Sequence, residues 1–80
     1  MIESGQKVKI KKLSKESYFL YKQYKNESPF MVCPCHLEDK VLEVSTIISN
    51  NIALLKFNND ITIIYVKDLI IVETAHHQIP

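Results

Sequence analysis

Cys33-Pro34-Cys35-His36 is the one cluster of soft, metal-competent side chains in the body of this 80-residue chain. Zinc needs four ligands, usually drawn from two separated knuckles. Here only the tail dipeptide His76-His77 could complete a set with Cys33, Cys35 and His36. The plainer reading, two ordinary thiols in a proline-bent loop, is preferred, and no metal or cofactor is expected. A disulfide between cysteines two apart would be strained and redox-labile. Nucleophilic catalysis by His36 with Cys33 or Cys35 would need an orienting carboxylate and an oxyanion hole. Glu38 and Asp39 are near in sequence, but acidic residues before a strand are ordinarily just solvated. The single glycine, Gly5, excludes glycine-rich phosphate loops. The expectation is a protein that is not an enzyme.

The second candidate chemistry is electrostatic. Residues 1–25 hold seven Lys against Glu3 and Glu16, a balance of +5, and the rest of the chain carries −4. Lys7, Lys9, Lys11 and Lys12 lie beside Tyr18, Phe19, Tyr21 and Tyr24 in sequence. Lysines that track phosphates next to aromatics that stack bases make a single-strand nucleic-acid platform. All ten basic residues are Lys, and bidentate reading of guanine or phosphate is mainly an Arg task. A solvated strand face beside tyrosines packed into the fold is therefore the favoured account.

These residues must be positioned by strands. Gln6–Leu13 alternates, with Val8 and Ile10 on one face and lysines on the other. Lys40–Ile48 is the next strand, and Ile52–Phe57 and Ile61–Val66 flank the hairpin signal Asn58-Asn59-Asp60. Lys67-Asp68-Leu69 suits a single 3-10 turn before a last short strand, Ile70–Val72. The segment 14–36 reads as helix, hairpin arm or irregular loop. Ser14 is a possible N-cap and the tyrosines recur at every third position, whereas aromatic density favours extended chain. An extended or irregular long loop is expected. The fold class is therefore all-β, a small five-stranded SH3-like barrel over residues 1–74, with a flexible tail at 75–80.

Only one face of each strand can point into so small a barrel. Ala53, Leu55 and Phe57 with Ile61, Ile63 and Tyr65 are assigned inward. Ile52, Leu54 and Lys56 with Thr62, Ile64 and Val66 are assigned outward. The apolar excess of the outward set predicts a covered patch. The lid would be Tyr18, Phe19, Tyr21, Phe30 and Met31, with a protein partner or a second copy of the chain over the remainder.

At 80 residues the chain is one domain near the size where a single core suffices. Its apolar runs are all shorter than the roughly 18 residues that cross a bilayer, so no membrane insertion is expected. MIESGQKVKIKK lacks the apolar centre of a signal peptide, which predicts a cytoplasmic or plastid-stromal location.

The order Gly5-x-Lys7-Val8-Lys9-Ile10, long loop, Val41-Leu42-Glu43-Val44, Leu54-Leu55-Lys56-Phe57, Asp68-Leu69 resembles the SH3-like accessory subunits of photosynthetic complexes. The variable chain of ferredoxin–thioredoxin reductase is similar across these strands. Photosystem I subunit IV is similar at Ile2-Glu3-x-Gly5-x-Lys7-Val8-Lys9-Ile10 and at Lys15-Glu16-Ser17-Tyr18, although the Gly-rich turn that follows there is missing here. The resemblance implies a non-catalytic subunit docking on a larger assembly. The partner-binding candidates are Tyr18, Phe19, Tyr21, Tyr24, Ile52, Leu54, Ile64 and Val66. A KOW- or Tudor-like nucleic-acid binder using Lys7, Lys9, Lys11 and Lys12 is the alternative.

Overall fold

A computed structural model describes residues 2–73 of the chain. Five strands, β1 (Lys7–Ile10), β2 (Leu42–Ser49), β3 (Ile52–Phe57), β4 (Asp60–Tyr65) and β5 (Leu69–Glu73), form one antiparallel sheet ordered β4-β3-β2-β1-β5. The sheet is open, with β4 and β5 as its edges. The expected β-rich class holds among the described residues, as one five-stranded antiparallel sheet with one helix added. Irregularities between Val44 and Thr46 and between Ile47 and Ser49 bend β2. Such bulges increase local twist and let one long strand serve two neighbours at different angles.

The helix α1 (Lys15–Tyr24) lies where extended chain was expected. Local capping and tertiary docking together override the strand preference of its aromatics. Ser14 has extended backbone (φ −80°, ψ 161°), and its hydroxyl accepts the Ser17 N–H at 3.2 Å. Glu16 in the first turn and Lys22 in the last complement the helix dipole. The helix packs on β4 and buries only Ser17 and Leu20, one turn apart. The Ser17 hydroxyl accepts the Tyr65 N–H at 3.0 Å, which satisfies a strand-end donor. Beyond α1, a 3-10 turn at Pro34–Leu37 drops Pro34 and Leu37 into the interior. Met31 pairs beside Ile61 in a parallel bridge and shields part of the β4 edge.

The principal core joins Val8, Ile10, Leu37, Leu42, Val44, Ala53, Leu55, Ile64 and Leu69. The inward assignment holds for Ala53 and Leu55 but fails by one residue along β4. Phe57 pairs with Asp60 around the two-residue turn Asn58-Asn59, with Asn58 at φ 56°. That register sets Leu55 opposite Thr62 and Ala53 opposite Ile64. Treating Asn58-Asn59-Asp60 as a three-residue separator shifts the partner strand by one and exchanges its faces. Thr62 and Ile64 are therefore buried on the core side. Ile63 is also buried, on the opposite face, where α1 packs. The 3-10 turn before the last strand falls at Val66–Asp68.

Among the described residues, no helix is long and apolar enough to cross a membrane.

Candidate functional site

The joint between β1 and α1 is built on Asp68. Its carboxylate oxygen Oδ2 accepts the Ser14 N–H at 2.9 Å and the Ser14 hydroxyl at 2.7 Å, while its backbone carbonyl accepts Lys11 N–H at 2.7 Å. Burial pushes the Asp68 carboxyl up, but hydrogen bonds from Ser14 and Ser17 and the charge of Lys67 outweigh it, leaving it below its ordinary value. The start of the helix is thereby locked to the 3-10 turn that leads into β5. A second tie is the exposed pair of Lys67 with Glu16, at 3.2 Å.

Leu13 immediately precedes the N-cap, and Tyr18 is the fourth helical residue. Apolar residues at these two positions commonly pack as a hydrophobic staple. Together with Ser14, Lys15 and Phe19 they line a shallow groove of about 430 Å³. Tyr18 is 40% exposed and Phe19 64% exposed. Their ring centroids lie 6.1 Å apart at an interplanar angle of 57°, a tilted arrangement that aromatic pairs favour. The Lys22 ammonium stands 5.7 Å from the Tyr18 ring centroid, within cation–π range. The groove is thus apolar at its base and cationic at its rim, through Lys15 and Lys22. Its floor is fixed by the Ser14–Asp68 joint.

The structure separates the other sequence candidates. Tyr18 and Phe19 come together, Tyr24 is exposed at the far end of α1, and Tyr21 is half-buried. Ile52, Leu54 and Val66 are half-buried, and Ile64 is fully buried in the core, where no partner can reach it. Of the expected lid residues, Tyr21 and Met31 are half-buried while Tyr18, Phe19 and Phe30 are exposed, and α1 packs on β4 through buried Ser17 and Leu20. Lys7 and Lys9 alternate with buried Val8 and Ile10, and Lys7 pairs with Glu43 at 3.7 Å. Lys11 and Lys12 are exposed beyond the end of β1. Leu13 escaped notice in the sequence, although the staple spacing Leu13-Ser14-(x)3-Tyr18 was its signal.

Cys33 is buried and Cys35 exposed, both as free thiols. No group of three or more His, Cys, Asp or Glu able to hold a metal ion occurs among the described residues. His76 and His77 and the expected tail at 75–80 lie outside them. No family model, no curated protein and no solved structure matches the chain.

Proposed function

We propose that this protein is a non-catalytic interaction module, an accessory subunit of SH3-like barrel type that docks on a protein partner through the outer face of α1. The observation that carries the reading is the Tyr18–Phe19 pair. The fold spends Ser17 and Leu20 on its own packing and leaves two large aromatics exposed beside Leu13. Aromatics held on a rigid element are the side chains most often found at the energetic centre of an interface. Lys15 and Lys22 at the rim favour an apolar partner segment flanked by acidic residues. The barrel assignment rests on the five antiparallel strands, the bulged β2 and the 3-10 turn before β5.

The test compares the wild-type chain with Tyr18→Ala/Phe19→Ala as baits in the parent cell extract, with captured proteins identified by mass spectrometry. A protein retained by wild type and lost by the double variant, with both baits melting alike, supports the reading. Equal retention by both refutes it.

A second reading, nucleic-acid binding, is favoured by the same placement of Lys15 and Lys22 beside stackable rings. Salt separates the two. Binding to single strands weakens linearly in log–log form with salt, by about 0.7 per neutralised phosphate. Docking of an apolar segment on Tyr18 and Phe19 loses over the same range only the screened contribution of its acidic flanks at Lys15 and Lys22 and keeps the apolar part.

A further inference from the structure

Two sulfurs flank Pro34 at the start of the turn Pro34–Leu37, that of Cys33 among the buried apolar residues and that of Cys35 outside them. Cys33 precedes the turn with extended backbone (φ −65°, ψ 132°). Its Sγ accepts the Cys35 N–H at 3.4 Å and stands in direct contact with the Cys35 thiol. Both donors of Cys35 are therefore aimed at one sulfur. Pro34 between them has a fixed φ and is itself fully buried, so the two side chains are held on the same side of a rigid turn. Exposure is divided between them: Cys35 meets solvent, while Cys33 is 7% exposed. The Cys35 thiol is pushed up to about 11, first by its hydrogen bond to Cys33 and then by partial burial.

We infer that Cys33 and Cys35 are a redox-active dithiol that exchanges with small-molecule disulfides of the glutathione type. Cys35 is the entry thiol because it is the one that meets solvent, and its raised pKa makes the attack slow at neutral pH and faster as pH rises. Its thiolate attacks one sulfur of the oxidant, the oxidant's S–S bond breaks, and the first small thiolate leaves and takes up a proton. Cys33, losing its own proton, then attacks the Cys35 sulfur of the mixed disulfide and expels the second small thiolate, which is protonated in turn. The protein loses two electrons and two protons and gains one S–S bond. The oxidant gains them and becomes two thiols. Cys33 is the resolving thiol because it is shielded from bulk oxidant yet already in contact with the Cys35 sulfur. Closing a ring over two residues strains it, so the disulfide is readily reduced again. The inference is independent of the docking role of α1.

The experiment uses the full chain in buffers of graded reduced-to-oxidised glutathione ratio, quenched with acid, alkylated and weighed intact by mass spectrometry. The expected result is a species lighter by two hydrogens that carries no alkyl label and no glutathione. It should revert when the ratio is made reducing. Cys33→Ser should instead accumulate a single glutathione adduct on Cys35. Cys35→Ser should acquire its adduct at least about tenfold more slowly than Cys33→Ser, because thiol reactivity follows access. The wild-type measurement needs no substitution to fold. A wild-type chain that stops at the glutathione adduct, or crosslinks into dimers, overturns the inference. So does one that stays fully alkylatable at every ratio.

Discussion

Replacing Asp68 is expected to loosen the whole joint between sheet and helix, with an effect that depends on pH. Its Oδ2 accepts two hydrogen bonds from Ser14, at 2.9 and 2.7 Å, and the residue is only 5% exposed. Hydrogen bonds to a charged group contribute about 1.5–3 kcal/mol each. Two would give an upper limit of about 6 kcal/mol, reduced because water can reach the half-buried Ser14 once the carboxylate is gone. Asp68→Ala is therefore expected to cost about 2–4 kcal/mol, a large part of the total stability of a domain this small. Asp68→Asn keeps the shape and one carbonyl acceptor but loses the charge, and about 1–2 kcal/mol is expected, since charge-assisted bonds are roughly twice as strong as neutral ones. The native carboxyl lies below its ordinary value of 3.8, because the hydrogen bonds from Ser14 and Ser17 and the Lys67 charge overcome the upward push of burial. Folding therefore favours the ionised form. The stability this adds is complete above the unfolded-state value and is lost as pH falls through the native one. The gap between wild type and Asp68→Asn should thus be full at neutral pH and shrink progressively below about pH 4. Urea unfolding followed by far-UV circular dichroism reads both quantities, the chain having no Trp. A gap of the same size in acid and at neutrality would refute the charge argument. An Asp68→Ala cost under about 0.5 kcal/mol would refute the joint itself.

Thr62 is fully buried, and its hydroxyl finds no hydrogen-bond partner among the described residues. Thr62→Val keeps the shape and removes an unpaired polar group, so it should raise stability by about 1–2 kcal/mol in the same urea assay; a neutral result would place Thr62 at the surface and reverse the faces of β4. Ser17→Ala removes the acceptor of the Tyr65 N–H and the Ser17 hydrogen bond to Asp68, while leaving the Ser14 cap intact. It should destabilise by about 1–3 kcal/mol, with faster amide exchange at Tyr65 by NMR; unchanged exchange there would show that the helix is not tied to β4 through this bond.

The sequence alone determined which five segments are strands. β-branched runs bounded by Asn-rich pairs leave few alternatives, and Ile52–Phe57 matches its expected limits. The alternation of Val8 and Ile10 with lysines likewise fixed which side of β1 is buried. Three matters waited for the tertiary structure. The register of β4 turns on whether Asp60 belongs to the turn or to the strand, a one-residue distinction that composition cannot make and that exchanges Ile64 with Ile63 at the core. The segment 15–24 carries side chains compatible with helix or strand. Its choice is made at a distance, by Asp68 holding Ser14 and by Tyr65 donating to Ser17, partners 54 and 48 residues away. The candidate docking site follows from that choice. Tyr18 and Phe19 become exposed only because Ser17 and Leu20 take the inner face of the helix. Local sequence sets what each segment can become, and contacts between distant segments select among forms of nearly equal local energy.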